Sequence, residues 1–241
     1  MERLFSEELT ERIRACGIFA VLVIEDAGDA VPTARALLAG GVAAMELTLR
    51  TPAAMESLAR IREAVPEMLA CVGTILNPKQ VGEVAAAGAD LGVAPGFNPR
   101  VVDAARKAGL PFAPGVTTAS ELEGAIEKGC RVLKFFPAEP AGGIPYLKSM
   151  NGPYGHLGLQ YIPLGGLNED NVRFWFEQPF VIAVGGSWIA RRELVAARNW
   201  EEISRRAEKA ATIFRQVRGG QGGERRERTA NGGEPKGRHR G

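Results

Sequence analysis

Gly129-Cys130-Arg131-Val132-Leu133-Lys134-Phe135-Phe136-Pro137 sets a short apolar run three residues behind a glycine. Glycine enters the left-handed conformation at little cost, so it closes a helix and turns the chain directly into the next strand. The same arrangement recurs upstream at Gly109 before Phe112, Gly88 before Leu91 and Gly40-Gly41 before Val42. This is an internal βα repeat. Strands joined through helices run parallel, and the apolar runs predict eight of them, near Ile18–Ile24, Ala44–Leu49, Leu69–Val72, Leu91–Ala94, Phe112–Ala113, Val132–Phe135, Tyr161–Ile162 and Val181–Val184. Eight βα units close into a (β/α)8 TIM barrel. The rival is an open doubly wound sheet, whose dinucleotide-binding form is weakened because no GxGxxG follows the first strand.

Working outward from the opening run, period two puts Val132, Lys134 and Phe136 on one face and Leu133 and Phe135 on the other. Neither face is polar enough to be solvated. The lysine is therefore expected to be buried and unpaired, where desolvation disfavours the ammonium and frees the amine to attack a carbonyl. The structural alternative is an edge-strand lysine that blocks aggregation. In Met45-Glu46-Leu47-Thr48-Leu49-Arg50-Thr51 the same period puts Glu46, Thr48 and Arg50 on the inward face. Opposite charges in a barrel interior are costly unless paired or used. A purely structural Glu46–Arg50 pair is the alternative.

The remaining polar and glycine-rich signals follow predicted strands: Gly73-Thr74, Pro95-Gly96, Gly115-Val116-Thr117, Gly165-Gly166 and Gly185-Gly186-Ser187. In barrels the active site is built at that end of the strands. Glycine pairs after the last two strands let backbone N–H groups approach an anion, with a helix N-terminus expected behind them, and so suggest a phosphate site. Only His156 and His239 are present, which excludes a multi-histidine metal centre. Lys134 as imine former, Glu46 as proton carrier and Arg50 as carboxylate holder together fit carbanion chemistry on a 2-oxo acid, without metal or cofactor.

Ser6 is expected to cap an N-terminal helix, with Glu7 and Glu8 in its first turn. A last amphipathic helix is expected from Trp200 to Arg218, ending a barrel domain over 1–218. From Gly219 to Gly241, six basic and three acidic residues give net +3. Since the whole chain is +2, residues 1–218 carry net −1. This Gly/Arg-rich segment has almost nothing apolar and is expected to be a disordered tail, either solubilising or a contact for nucleic acid or an acidic partner. Cys16, Cys71 and Cys130 are far apart in apolar surroundings and are expected to pack as free thiols. The N-terminus lacks a signal-peptide core and no run is long enough to span a bilayer, so a cytoplasmic location without a membrane partner is expected.

The segments Glu46-Leu47-Thr48-Leu49-Arg50-Thr51, Gly73-Thr74, Lys134-Phe135-Phe136-Pro137-Ala138-Glu139 and Gly185-Gly186-Ser187-Trp188 resemble the signatures of the 2-keto-3-deoxy-6-phosphogluconate (KDPG) and 4-hydroxy-2-oxoglutarate aldolase family, from about Ile18 to about Ile189. The resemblance implies a class I aldolase, a lyase on a homotrimeric barrel. Such an enzyme cleaves KDPG to pyruvate and glyceraldehyde 3-phosphate in the Entner–Doudoroff pathway, and in many members also 4-hydroxy-2-oxoglutarate. It further implies Lys134 as the Schiff-base residue and Glu46 as the acid/base, working through a water. Arg50 and Thr74 would hold the pyruvyl carboxylate, Phe136 and Pro95 would line the pocket, and Gly165, Gly166, Gly186 and Ser187 would bind the phosphate. The chain departs from the family pattern at Leu164, where a threonine is usual, at Ala94 and Cys71-Val72, in the longer Tyr154–Gly158 segment and in the tail. A related aldolase with another aldehyde fragment, a phosphosugar isomerase and a non-catalytic sugar-phosphate-binding barrel are the alternatives.

Overall fold

A computed structural model describes residues 4–230, and side chains as far as residue 219. The strands are β1 (Ile18–Leu22), β2 (Ala44–Thr48), β3 (Leu69–Gly73), β4 (Leu91–Val93), β5 (Phe112–Ala113), β6 (Gly115–Val116), β7 (Val132–Phe135), β8 (Gln160–Pro163) and β9 (Val184–Gly186). One six-stranded sheet runs β5-β4-β3-β2-β1-β9, and a second runs β6-β7-β8. All strand pairs are parallel. Two features join the sheets into one ring. β5 and β6 are halves of a single barrel strand, interrupted at Pro114, which has no N–H to give to a ladder. On the other side, bridges Tyr161↔Val181 and Leu164↔Gly185 connect β8 to the last strand. The ring has eight positions, and the fold is the (β/α)8 barrel.

The observed strands differ from the expected ones where neighbours change. The last is expected at Val181–Val184, but Ile182 N–H bonds to Tyr161 on β8, whereas Val184 N–H bonds to Gly17 beside β1. The chain is handed from one neighbour to the other, so the regular ladder begins only at Val184. β1 stops at Leu22 although apolar sequence continues to Ile24, whose carbonyl accepts from the Thr51 hydroxyl. The repeat glycines behave as read: Gly41, Gly88, Gly109 and Gly129 have φ between 67° and 82° and each follows a helix end.

Period two sorts the core into two parts. Ala20, Leu22, Met45, Leu47, Leu133 and Phe135 face outward and pack with the helices, whereas Phe19, Ala44, Leu69, Cys71, Val93, Val132 and Ile162 fill the barrel interior. Helix α1 (Glu7–Cys16) is capped by Ser6, whose hydroxyl accepts from Leu9 N–H at 3.1 Å. Its Ile13, with the preceding Phe5, belongs to the interior cluster. The helix therefore stoppers the N-terminal mouth of the barrel.

The final helix, Trp200–Ala230, runs beyond the expected end at Arg218. Its buried residues Ile203, Ala207, Ala210, Ala211 and Val217 keep helical spacing on one face. Residues 231–241 of the expected tail lie outside the described residues.

Candidate active site

Strand β7 carries Lys134 inward and β2 carries Glu46 inward, and the two side chains meet. Lys134 Nζ lies 2.8 Å from Glu46 Oε1 and 3.1 Å from Oε2, with the residues 5% and 3% exposed. The expected unpaired ammonium is therefore corrected to a buried ion pair. β2 and β7 stand on opposite sides of the ring, so neighbouring-strand logic does not bring these side chains together. The same geometry replaces the alternative Glu46–Arg50 pair, because Glu46 is taken by Lys134. The Phe136 ring flanks the lysine, its centroid 5.3 Å from Nζ. Around the pair the interior leaves a cavity of only about 10 Å³, lined by Glu46, Lys134, Cys71 and apolar side chains including Phe19, Leu91 and Leu164.

Arg50 is not in the interior. β2 ends at Thr48 and the chain turns, with Arg50 N–H donating to the Thr48 carbonyl at 2.8 Å, so the arginine stands exposed at the C-terminal rim. Its Nε donates to the buried Thr48 hydroxyl at 3.1 Å. Thr74 follows β3 with φ 63°, a left-handed conformation that is costly for a β-branched residue. Just before it, Gly73 gives Glu46 its room: a Cβ there would lie 2.7 Å from Glu46 Cδ and closer still to Oε1. That fit was missed in the sequence, where Gly73 read only as a post-strand glycine.

Pro95, half-buried, follows β4, and its backbone lies where a Cβ on Gly115 would go. Gly165 and Gly166, with φ 95° and 85°, follow β8. A Cβ on Gly165 would lie 3.2 Å from the Phe136 ring, and one on Gly166 would lie 2.6 Å from Glu139 Cβ. Gly186 ends β9 against the Trp188 ring, and Ser187 after it is exposed. The Leu164↔Gly185 bridge sets these two glycine loops side by side. The helix expected behind each is a correction: the next α-helices start only at Val172 and Arg192 and have 5 residues each. An anion there would meet loop N–H groups rather than an adjoining helix end.

Supporting contacts that the sequence did not reveal fix the loops. Thr117 donates its hydroxyl to the Phe136 carbonyl, and Trp175 Nε1 donates to Glu139 Oε1 at 2.7 Å. Glu121 accepts from the N–H groups of Thr117 and Thr118, both at 2.9 Å. Burial opposes ionisation of Glu121, but these hydrogen bonds outweigh it and hold the carboxyl below its usual range. Burial pushes the Cys71 thiol well above its usual range, with the Glu46 charge adding to the effect, and pushes Cys130 up to about 11. All three cysteines are free. Among the described residues, no helix is long and apolar enough to cross a membrane.

A buried amine, an adjacent carboxylate, a rim arginine and glycine loops thus stand toward one end of the barrel. The family model "KDPG and KHG aldolase" matches residues 9–206. A 2-dehydro-3-deoxy-phosphogluconate aldolase of Treponema pallidum (strain Nichols) is 40% identical over 197 residues, covering 82% of this chain and 91% of its own. The KHG/KDPG aldolase of Escherichia coli (strain K12) is 36% identical over 193 residues, covering 80% and 90%. Among solved structures, a KDPG aldolase from Legionella pneumophila, with pyruvate captured at low pH as a covalent carbinolamine intermediate, aligns with TM-score 0.79 and 37% identity over 83% of this chain and 97% of that one. The chain is a member of the KDPG and KHG aldolase family.

Proposed function

We propose that this chain is a class I aldolase that cleaves 2-dehydro-3-deoxy-6-phosphogluconate to pyruvate and glyceraldehyde 3-phosphate, and 4-hydroxy-2-oxoglutarate to pyruvate and glyoxylate. The observation that carries the reading is the buried Lys134–Glu46 contact of 2.8 Å facing the end of the barrel where such sites are built. Lys134 gives its proton to Glu46, and the free amine attacks the 2-oxo carbon. The carbinolamine loses water to form the imine. Glu46 gives its proton to the departing hydroxyl and, ionised again, takes the proton of the C4 hydroxyl; the C3–C4 bond breaks, its electron pair passes into the enamine and the aldehyde leaves. Glu46 returns a proton to C3, and water releases pyruvate from the lysine. The imine nitrogen is the electron sink, so the cycle needs neither metal nor cofactor.

Arg50 and Thr74 bind the pyruvyl carboxylate in this reading, supported by the rim position of the guanidinium and the strained backbone of Thr74. Phe136 and Pro95 line the pocket, and Gly165, Gly166, Gly186 and Ser187 receive the phosphate, which the pairing of their two loops supports. The aldolase domain comprises residues 1–218 in this reading, supported by Val217 being the last buried one of the final helix's described side chains, with 219–241 as a tail whose first part, to Ala230, continues that helix. Family likeness supports a homotrimer working in the cytoplasm on a small-molecule substrate, with no nucleic-acid partner.

The test is intact-protein mass after incubation with pyruvate and sodium borohydride in the presence of chelator. A reduced pyruvyl adduct is expected, and its absence would remove the imine chemistry. Glu46→Gln keeps the shape but cannot accept the proton. Turnover is expected to fall about 10²- to 10⁴-fold while the pyruvate concentration for half-maximal trapping changes little. Loss of pyruvate binding as well would make Glu46 structural instead.

A further inference from the structure

Thr48 is a buried hydroxyl at the end of β2 that the reaction above does not use. Its Oγ1 donates to the carbonyl of Leu22, the last residue of β1, at 2.9 Å. A threonine hydroxyl has a single proton. With that proton committed to Leu22, Oγ1 faces Arg50 only as an acceptor, and it receives the Arg50 Nε–H at 3.1 Å. Two strand ends and the arginine are thus joined in one directed chain, from Arg50 Nε through Thr48 to the Leu22 carbonyl. Among the described residues no carboxylate pairs with Arg50, whose only side-chain partner is this hydroxyl. The two terminal Nη groups of the fork stay open for an incoming anion.

We propose that Thr48 is a positioning residue. It anchors Arg50 by Nε, so that both Nη groups meet the carboxylate of the 2-oxo acid end-on. The proposal rests on the aldolase reading and deepens it by saying how the carboxylate site is held. A long arginine at an exposed rim otherwise samples many rotamers, and each must be given up when the substrate binds. Holding Nε in advance removes that loss and excludes the side-on grip through Nε and Nη. Thr48 acts on binding, and the Lys134–Glu46 chemistry is not routed through it.

The experiment measures the pyruvate concentration for half-maximal borohydride trapping, with kcat and KM on 2-dehydro-3-deoxy-6-phosphogluconate, for the parent, Thr48→Val, Thr48→Ser, Arg50→Ala and the Arg50→Ala/Thr48→Val double variant. Thr48→Val is expected to raise the half-saturating pyruvate and KM about tenfold, with a far smaller fall in kcat. Thr48→Ser restores the parent values, and in the Arg50→Ala background Thr48→Val adds no further loss. Should Thr48→Val fail to fold, Thr48→Ala carries the same comparison. Unchanged half-saturation in the hydroxyl-less variant, no recovery with serine, or an equal loss without Arg50 each overturns the proposal. A parent that traps no pyruvate overturns the aldolase reading and this proposal with it. A parent that traps pyruvate, with no response to Thr48→Val, overturns the role of Thr48 alone.

Discussion

Lys134→Ala is expected to lower turnover by on the order of 10⁴-fold or more and to abolish the borohydride-dependent pyruvyl adduct. Among the described residues, Nζ of Lys134 is the amine that faces both Glu46 and the Phe136 ring. The substitution also leaves Glu46 buried without its counter-charge, and breaking such a pair costs about 3–5 kcal/mol of stability. Loss of activity must therefore be separated from loss of fold. Lys134→Met, which fills the space without charge, combined with Glu46→Gln removes both ions together and restores much of the stability while leaving no nucleophile. The measurement is turnover alongside the thermal midpoint of each variant. Substantial cleavage by a folded Lys134→Ala protein would contradict the imine assignment.

Gly73→Ala carries the second large effect, from a single methyl group outside the reacting pair. The backbone tolerates alanine, because Gly73 is an ordinary strand residue at the end of β3 rather than one of the positive-φ glycines. The space does not tolerate it, since the new Cβ would stand 2.7 Å from Glu46 Cδ. Glu46 must move in a tightly packed interior, and the carboxylate leaves the position from which it reaches Nζ. A displacement of about 1 Å at a reacting group costs on the order of 10²-fold in rate. kcat is expected to fall by that factor, with the protein folded and pyruvate still trapped, more slowly than in the parent. Should kcat stay within threefold of the parent, the carboxylate's position is not what Gly73 protects.

The sequence made the barrel legible because its evidence was local. A glycine behind each helix and alternation along each strand are properties of single segments, and Val132–Phe135 is a strand with the bounds read from its apolar run. Facing was legible for the same reason, with Glu46 and Lys134 both on the inward side. The contact between them was not, since it joins residues 88 apart across the lumen and follows from ring closure rather than from either strand. Arg50 was carried too far inward by extending strand periodicity through a turn at Leu49-Arg50. The room made by Gly73 and the hydroxyl relay of Thr48 depend on side-chain positions from different strands, which spacing does not encode.

The stopper formed by α1 has a kinetic meaning. With Phe5 and Ile13 packed into the interior cluster at one mouth, and a cavity of about 10 Å³ beside the Lys134–Glu46 pair, the barrel is a well with a closed floor. With imine formation at Lys134, as proposed above, the carbon bound to the lysine would lie at the bottom and the aldehyde half of the substrate nearer the opening. Traffic in such a well follows last in, first out. The aldehyde fragment departs first, and pyruvate, still held by its covalent bond, is released only after the exit above it has cleared.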